Sequence, residues 1–156
     1  MMDDNLKNRY LLFEIDEEYA VELSKVLEVI EFQPVTRVPE TPDYITGVIN
    51  LRGHVVPVID LRVRFKKALK EYNYRTCIIV VDIEGIHLGL VVDKVLDLIT
   101  FNESEIIPPP QVGNDYSHVF IKSIGMHEGK VKLIIDGDKI INYNDLEFLN
   151  ETESES

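Results

Sequence analysis

The chain has 156 residues, of which 45% are hydrophobic and 28% are charged. This composition suits one folded domain, or two small lobes that share a core, and it excludes disorder over most of the chain. The net charge of −12 disfavours general binding to nucleic acid or anionic lipid, and the single cysteine excludes an intrachain disulfide framework.

The start of the chain, Met1-Met2-Asp3-Asp4, is acidic and is not followed by the apolar stretch of a signal peptide. No apolar run approaches the ~20 residues that a helix needs to span a bilayer. We therefore expect a cytoplasmic protein with no direct membrane insertion.

Short strands dominate the predicted elements. Four apolar runs rich in β-branched residues are bounded by charged or glycine-containing turns, and in chain order they are Tyr10–Ile15, His54–Ile59, Thr76–Val81 and Lys130–Ile135. Two stretches of mixed spacing, Glu22–Ile30 and Val92–Ile99, suit a helical turn that runs into a strand.

The remaining segments are predicted from turn signals and spacing. Pro108–Asp115 is predicted to be a long loop because it begins with three prolines. Asp138–Leu149 has apolar residues at near-helical spacing and predicts a helix that closes the fold. Residues 150–156 are polar and acidic, so we expect a flexible tail.

An internal repeat organises the chain. Ser24–Ile30 resembles Asp93–Ile99 at an offset of 69, and Gly53–Asp60 resembles Gly129–Asp136 at an offset of 76. Each half holds about five short strands, and such a sheet avoids exposed edges by curling into a small barrel. We therefore predict a mainly β domain of two small barrels packed together. Lobe 1 spans about 16–82 and lobe 2 about 83–136, with terminal segments that cross between the lobes.

Patterns typical of catalysis or metal binding are nearly absent from the sequence. Cys77 lies in a predicted buried strand, which favours a structural cysteine over a reactive thiol. No two histidines stand at i, i+2 or i, i+4, and no glycine-rich phosphate loop is present. Asp136-Gly137-Asp138 begins like a calcium loop, but Ile140 stands where the next oxygen ligand belongs. We expect no metal and no cofactor.

A run of five cations in nine residues stands out against the acidic remainder of the chain. Two interpretations stay open: a solvated loop or helix face, or a docking patch for an acidic partner surface. The cations are Arg62, Arg64, Lys66, Lys67 and Lys70.

A second charged feature is Arg52, which stands in the tight turn before Gly53. It could be a simple exposed turn residue. Its rigid five-donor guanidinium also suits a carboxylate or the carbonyl groups of a partner. The residue pattern leaves both alternatives open.

The stretch from Tyr44 to Arg62, with Asn50-Leu51-Arg52-Gly53 at its centre, closely resembles the hallmark of the CheW family of bacterial chemotaxis coupling proteins. Glu18–Val21 and Leu88–Asp93 match the family in order and spacing. The resemblance covers roughly Arg9 to Leu149. It implies two intertwined, five-stranded, SH3-like barrels. It also implies an adaptor without catalysis or cofactor, recruited to membrane-associated receptor arrays, that links chemoreceptor tips to the C-terminal regulatory domain of the histidine kinase CheA.

The resemblance also implies two sets of site residues. In the family, a groove between the lobes receives the receptor tip, and faces of the barrels bind the kinase. We expect Arg52 to pair with Glu28. The receptor set is Val26, Glu28, Arg52, Val95 and Leu98. The kinase set is Val35, Thr36, Arg37, Gly47 and Val55.

Two rival functions remain. The first is a CheW-like regulatory module of a different sensory kinase pathway, which would use the same fold. The second is a small hydrolase that uses Asp60 or His54 in the cleft between the lobes, although no nucleophile or metal pattern supports it.

Overall fold

The computed structural model describes residues 7–109 and 119–149. The four strands predicted from apolar runs are confirmed, each within two residues at either end. The predicted tail lies outside the described residues, as does the predicted loop from residue 110 onward. In chain order the strands are β1 (Arg9–Ile15), β2 (Glu17–Glu22), β3 (Val26–Glu31), β4 (Ile45–Leu51), β5 (His54–Asp60), β6 (Cys77–Ile83), β7 (Ile86–Val92), β8 (Lys94–Thr100), β9 (Ile106–Ile107), β10 (Ile121–His127) and β11 (Lys130–Ile135).

Helical segments in the described part of the chain are short. Two single-turn helices follow β5 and β11, and they are α1 (Leu61–Arg64) and α2 (Gly137–Ile140). Turns of 3-10 helix lie at Leu23–Lys25, Glu103–Glu105 and Tyr143–Leu146. The first of these runs directly into β3, as the mixed spacing of Glu22–Ile30 predicts, whereas Val92–Ile99 passes from β7 to β8 without a helical turn. None of the described helices combines the length and apolar character needed to span a bilayer.

The strands form two sheets that follow the internal repeat. The five-stranded sheet has the order β3-β6-β7-β5-β4, and the six-stranded sheet has the order β8-β1-β2-β11-β10-β9. The repeat mates of β3, β6, β7, β5 and β4 are β8, β1, β2, β11 and β10. The two sheets therefore have the same strand order, and the six-stranded sheet adds β9 at its edge. The parallel pairs also correspond, because β5 lies beside β7 and β11 beside β2.

The two repeats exchange their first hairpins. Hairpin β1–β2 lies in the six-stranded sheet with β8, β10 and β11, while hairpin β6–β7 lies in the five-stranded sheet with β3, β4 and β5. This exchange corrects the boundary between lobes predicted near residue 82: the five-stranded sheet extends to Val92, and β2 belongs to the other sheet. The lobes are therefore intertwined, and neither is a continuous stretch of chain.

The central strands of both sheets are buried on both faces. Phe13 and Ile79 point into the largest apolar cluster, which lies between the sheets. Their strand neighbours Leu12 and Ile78 point into two smaller clusters, one for each sheet. Because both faces are covered, these strands carry nearly continuous apolar runs.

The sheets curl without closing, which corrects the prediction of closed barrels. Ile30 on β3 and Ile49 on β4 contact the same apolar cluster, although their strands are opposite edges of the five-stranded sheet. Among the described residues, β3 and β4 are nevertheless not hydrogen-bonded to each other. The mainly β architecture of two related small lobes is confirmed.

The C-terminal segment is not the single helix predicted for Asp138–Leu149. α2 ends at Ile140, and Ile141 is extended, with φ −115° and ψ 140°. The side chain of Asn142 then accepts a hydrogen bond from the backbone N–H of Asn144 and starts a new turn. The segment still closes the fold, because Ile140, Ile141 and Leu146 are buried in the cluster between the sheets.

Candidate functional site

The receptor set lies mainly along two edge strands, one from each sheet. Val26 and Glu28 are on β3, while Val95 and Leu98 are on β8. Val26 and Val95 are repeat mates, and both are half-buried against the cluster between the sheets. Leu98 is 48% exposed. The structure thus brings these apolar side chains to the seam between the two sheets, which we call the inter-sheet groove.

A pocket of about 370 Å³ opens beside β8 at this seam. Its lining combines apolar side chains with two cations, Arg75 before β6 and Lys94 at the start of β8. Neither cation was expected from the sequence, because only the packing of the two sheets places the start of β6 beside β8. The other lining residues are Cys77, Val95 and Leu96.

The expected ion pair between Arg52 and Glu28 is present, and the Arg52 guanidinium donates a hydrogen bond to Glu28 Oε1. Arg52 lies in the β4–β5 turn with φ +52°, followed by Gly53 with φ +87°. Its side chain is 70% exposed, and the bond to Glu28 raises the pKa of Arg52. The pair links the β4–β5 hairpin to β3 and helps to hold the curled sheet.

The kinase set lies along β4 and β5, at the other edge of the five-stranded sheet. Thr36 exchanges two backbone hydrogen bonds with Val48 on β4, at 2.8 and 2.9 Å, so the segment around it covers part of that edge. Thr36 and Arg37 are exposed and Val35 is half-buried. Val55 on β5 is 51% exposed.

Gly47 is buried and has a packing role. A Cβ atom at Gly47 would stand 2.1 Å from the carbonyl oxygen of Thr36 and 2.8 Å from Val35 Cγ1. Any larger residue would therefore push the Val35–Arg37 segment away from β4. Gly47 acts on this surface through the position of its neighbours.

Asp60 does not have the environment that the hydrolase alternative requires. Its two carboxylate oxygens accept hydrogen bonds from the Arg62 backbone N–H at 2.9 Å and from the Tyr72 hydroxyl at 2.6 Å. Burial and this bond raise the pKa of Tyr72. His54 stands at the opposite end of β5, about 20 Å away along an extended strand. Asp60 therefore caps α1 rather than facing a cleft with His54.

The described residues hold no cluster of His, Cys, Asp or Glu side chains that could bind a metal ion. Cys77 is half-buried, and burial raises the pKa of its thiol. A raised pKa lowers the thiolate fraction at neutral pH and is typical of an unreactive cysteine.

The basic run is only in part the solvated face of one interpretation: Lys66 and Lys70 are exposed, but the two arginines are bonded within the protein. Arg62 is buried and binds two carboxylates, Asp16 and Asp93. Arg64 stacks over the ring of Tyr44 at 3.9 Å and donates a hydrogen bond to the Ile140 carbonyl at 2.7 Å. These arginines join the two sheets and the C-terminal segment. Of the lysines, Lys67 pairs with Glu17 at 2.6 Å, and Lys70 lies 3.7 Å from Asp93.

A larger surface pocket, of about 510 Å³, borders the kinase set at Val55. The starts of β5 and β7 form one wall, and the C-terminal segment forms the other through Tyr143 and Leu146. Sequence reasoning missed this pocket because its walls come from three distant parts of the chain. Its two histidines are His54 and His87.

Comparisons of the sequence and of the structure with known proteins all match CheW or CheW-like proteins. A family model described as a CheW-like domain matches residues 9–145. The chemotaxis protein CheW of Bacillus subtilis is 39% identical over 125 residues, which cover 80% of this chain and 80% of that protein. The chemotaxis protein CheW of Klebsiella aerogenes is 31% identical over 144 residues, covering 92% and 87%. The crystal structure of the scaffolding protein TtCheW from Thermoanaerobacter tengcongensis matches with a TM-score of 0.78 at 36% identity, over 83% of this chain and 88% of that one.

Proposed function

Because this chain belongs to the CheW-like domain family, we propose that it is a non-catalytic chemotaxis adaptor that couples chemoreceptors to the histidine kinase CheA. The family relation and the structural match to a scaffolding protein support the adaptor role. The observation that carries the proposal is the separation of two surfaces. The receptor set lies mainly at the inter-sheet groove, and the kinase set lies on the β4–β5 edge. An adaptor must hold two partners at once, so its two contact surfaces must not overlap.

The inter-sheet groove suits the helical tip of a receptor. Val26 and Val95 supply half-buried apolar contacts at equivalent positions of the two sheets, and Leu98 adds an exposed one. An amphipathic helix binds such a groove with apolar anchors at helical spacing. The Arg52–Glu28 pair joins β3 to the β4–β5 turn, and its exposed guanidinium can donate hydrogen bonds to a polar group of the tip.

The β4–β5 edge suits the regulatory domain of the kinase. Val55 is an exposed valine on a strand near a tight turn, and the Val35–Arg37 segment adds backbone and polar contacts. A small surface of this kind supports a contact of modest area, which fits a reversible signalling complex. Binding at both surfaces recruits the adaptor to membrane-associated receptor arrays.

Calorimetry with two purified partners from the same source tests the proposal: the CheA regulatory domain and a soluble receptor tip fragment. Saturable one-to-one binding to each is expected. Val55→Asp places a charge in the kinase contact and should weaken kinase binding about tenfold while leaving receptor binding unchanged. Val26→Asp should weaken receptor binding about tenfold and leave kinase binding unchanged.

Val119→Asp is the matched control, since Val119 is 55% exposed and lies outside both sets. It should bind both partners like the unmodified protein. If the folded protein binds neither the kinase domain nor the receptor tip, the proposed function is wrong. If Val55→Asp and Val26→Asp weaken both partners equally, the assignment of two separate surfaces is wrong.

A further inference from the structure

Arg62 is the most heavily bonded cation among the described side chains. It is 6% exposed. Its guanidinium donates two hydrogen bonds to Asp16, at 2.6 and 3.2 Å, and two to Asp93, at 2.6 and 3.4 Å. It also donates to the carbonyl of Ala68 at 2.6 Å. The planar fork of an arginine holds such an arrangement in one orientation, which the point charge of a lysine does not.

The groups that Arg62 joins belong to different sheets. Arg62 is on α1, which follows β5 of the five-stranded sheet. Asp16 forms the β1–β2 turn of the six-stranded sheet, with φ +65°. Asp93 is the single residue between β7 and β8, where the chain passes from one sheet to the other, and its N–H bonds the Glu14 carbonyl at 3.0 Å. Arg62 therefore clamps the five-stranded sheet to the start of β8.

The clamp acts next to the receptor set. Val95 is two residues beyond Asp93 on β8. Its repeat mate Val26 stands at the start of β3 in the other sheet. Any shift of Asp93 along or across the seam moves Val95 relative to Val26, because a strand transmits displacement over two residues with little loss.

The repeat supplies a weaker counterpart of this clamp. Asp138 on α2 is the repeat mate of Arg62, and it faces Lys25 immediately before β3. The Nζ–Oδ1 distance is 3.9 Å, and the two side chains are 27% and 48% exposed. Each helical turn thus reaches across to the first residues of an edge strand in the opposite sheet, but only the β8 end is held by a buried, multidentate contact. Exposed single pairs of the Lys25–Asp138 type contribute little.

We propose that Arg62 is a positioning residue for the inter-sheet groove: it fixes β8 relative to β3 and thereby sets the affinity for the receptor tip. The proposal rests on the receptor-binding role proposed above. It assigns the first member of the basic run to the receptor side of the protein without requiring that it touch the receptor. Arg62 is too buried to make that contact itself.

A distance measurement tests the positioning step without any partner. Nitroxide labels are attached at Glu31→Cys on β3 and Asp97→Cys on β8, both exposed positions, in a Cys77→Ser background. Pulsed dipolar spectroscopy should give one narrow distance distribution. Arg62→Gln should broaden or shift it, whereas Lys25→Gln, which breaks the counterpart pair, should leave it nearly unchanged. The same distribution in Arg62→Gln as in the parent would overturn the proposal.

Binding measurements test the consequence. Arg62→Gln should weaken receptor-tip binding about fivefold or more and change kinase-domain binding less than about twofold. Ile134→Val, a small truncation in the cluster of the six-stranded sheet and not in the cluster beneath Val26 and Val95, controls for a general loss of stability and should leave both affinities unchanged. A role in stability alone would weaken both partners together, and that result would refute positioning.

If Arg62→Gln does not fold, Asp16→Asn is used instead, because it removes the charge and one acceptor oxygen of the Asp16 contact and keeps the Asp93 contact. Asp16→Asn should change the label distances and the receptor affinity in the same direction as Arg62→Gln, but by a smaller amount. If the parent protein fails to bind the receptor tip, the proposed function fails along with the affinity claim. The label distances then report separately whether Arg62 positions β8. A distance change without any change in receptor affinity would leave Arg62 a structural residue only.

Discussion

Arg52 is the residue for which we expect the smallest effect on stability relative to the effect on function. Its side chain is 70% exposed, and exposed ion pairs of this kind contribute little to the stability of a fold. We predict that Arg52→Ala leaves the urea midpoint of unfolding nearly unchanged, yet impairs receptor-dependent kinase control. A large loss of stability would mean that the pair is mainly structural.

The exchanged pair, Arg52→Glu with Glu28→Arg, is the matched control for this prediction. It restores the ion pair with its direction reversed. If receptor coupling returns in the exchanged protein, the pair acts by holding the β4–β5 turn to β3. If coupling stays lost, the positive charge at residue 52 is itself required by the partner.

Asp16 makes the clamp sensitive to acid. Hydrogen bonds from Arg62 lower the pKa of the Asp16 carboxyl below its usual value near 3.9. A lowered folded-state pKa means that this stabilisation is complete above about pH 4 and is lost as the pH falls through the folded-state value. We predict a stability difference between the parent and Asp16→Asn that is constant from about pH 5 to 7 and shrinks below about pH 4, measured by urea unfolding at each pH. A difference that grows in acid would contradict the sign of this effect.

Among the elements, the break in the C-terminal segment has one identifiable cause. Asn142 caps the Tyr143–Leu146 turn by accepting a hydrogen bond from Asn144 N–H at 3.1 Å. Loss of such a cap costs about 0.5–2 kcal/mol. We predict that Asn142→Ala destabilises the protein by about 1 kcal/mol in thermal or urea unfolding, whereas Asn142→Asp retains the cap and most of the stability. Equal loss in both variants would show that the cap is not the cause.

The hairpins show which elements local sequence can specify. Arg52-Gly53, Glu84-Gly85 and Glu128-Gly129 each place two successive residues at positive φ, between about 51° and 87°. Turns with two positive φ values match the twist of the flanking strands and favour a glycine at the second position. The positions of these hairpins are therefore readable from a few residues. Which sheet each hairpin joins is not, because the partner strands are distant in the chain.

On the scale of the whole molecule, aromatic residues between the sheets bind the two lobes into one unit. The ring of Phe65 lies 5.2 Å from that of Tyr19 and 5.2 Å from that of Phe120, and Phe65 is 2% exposed. Because each sheet contains a hairpin from the other repeat, neither sheet is complete without the whole chain. We predict that Phe65→Ala costs about 3–5 kcal/mol and that both sheets still unfold in one transition.

Two probes can check this prediction: fluorescence from a tryptophan placed at Tyr10, in the cluster of the six-stranded sheet, and circular dichroism of the whole molecule. Coincident transitions are expected in the parent and in Phe65→Ala. Tyr10→Trp alone is the control for the probe. Separate transitions for the two signals would show that the lobes fold independently.

The candidate surfaces were only partly readable from sequence. The repeat and the family motif identified Val26 and Val95 as equivalent positions, and the structure places both at the seam between the sheets. The cations beside Val95, which are Arg75 and Lys94, were missed because only the packing of the two sheets brings the start of β6 next to β8. The buried role of Arg62 within the basic run was not readable for a related reason, since its carboxylate partners are 31 and 46 residues away along the chain.

The sequence by itself determined the strands, the hairpin turns, the repeat and the family. These follow from local alternation, glycine at positive φ and a motif written in consecutive residues. Only the tertiary structure decided the exchange of hairpins, the open curled sheets and the buried partners of Arg62. Those depend on contacts between residues far apart in the chain, whose energies are realised only when both sheets pack on the common core.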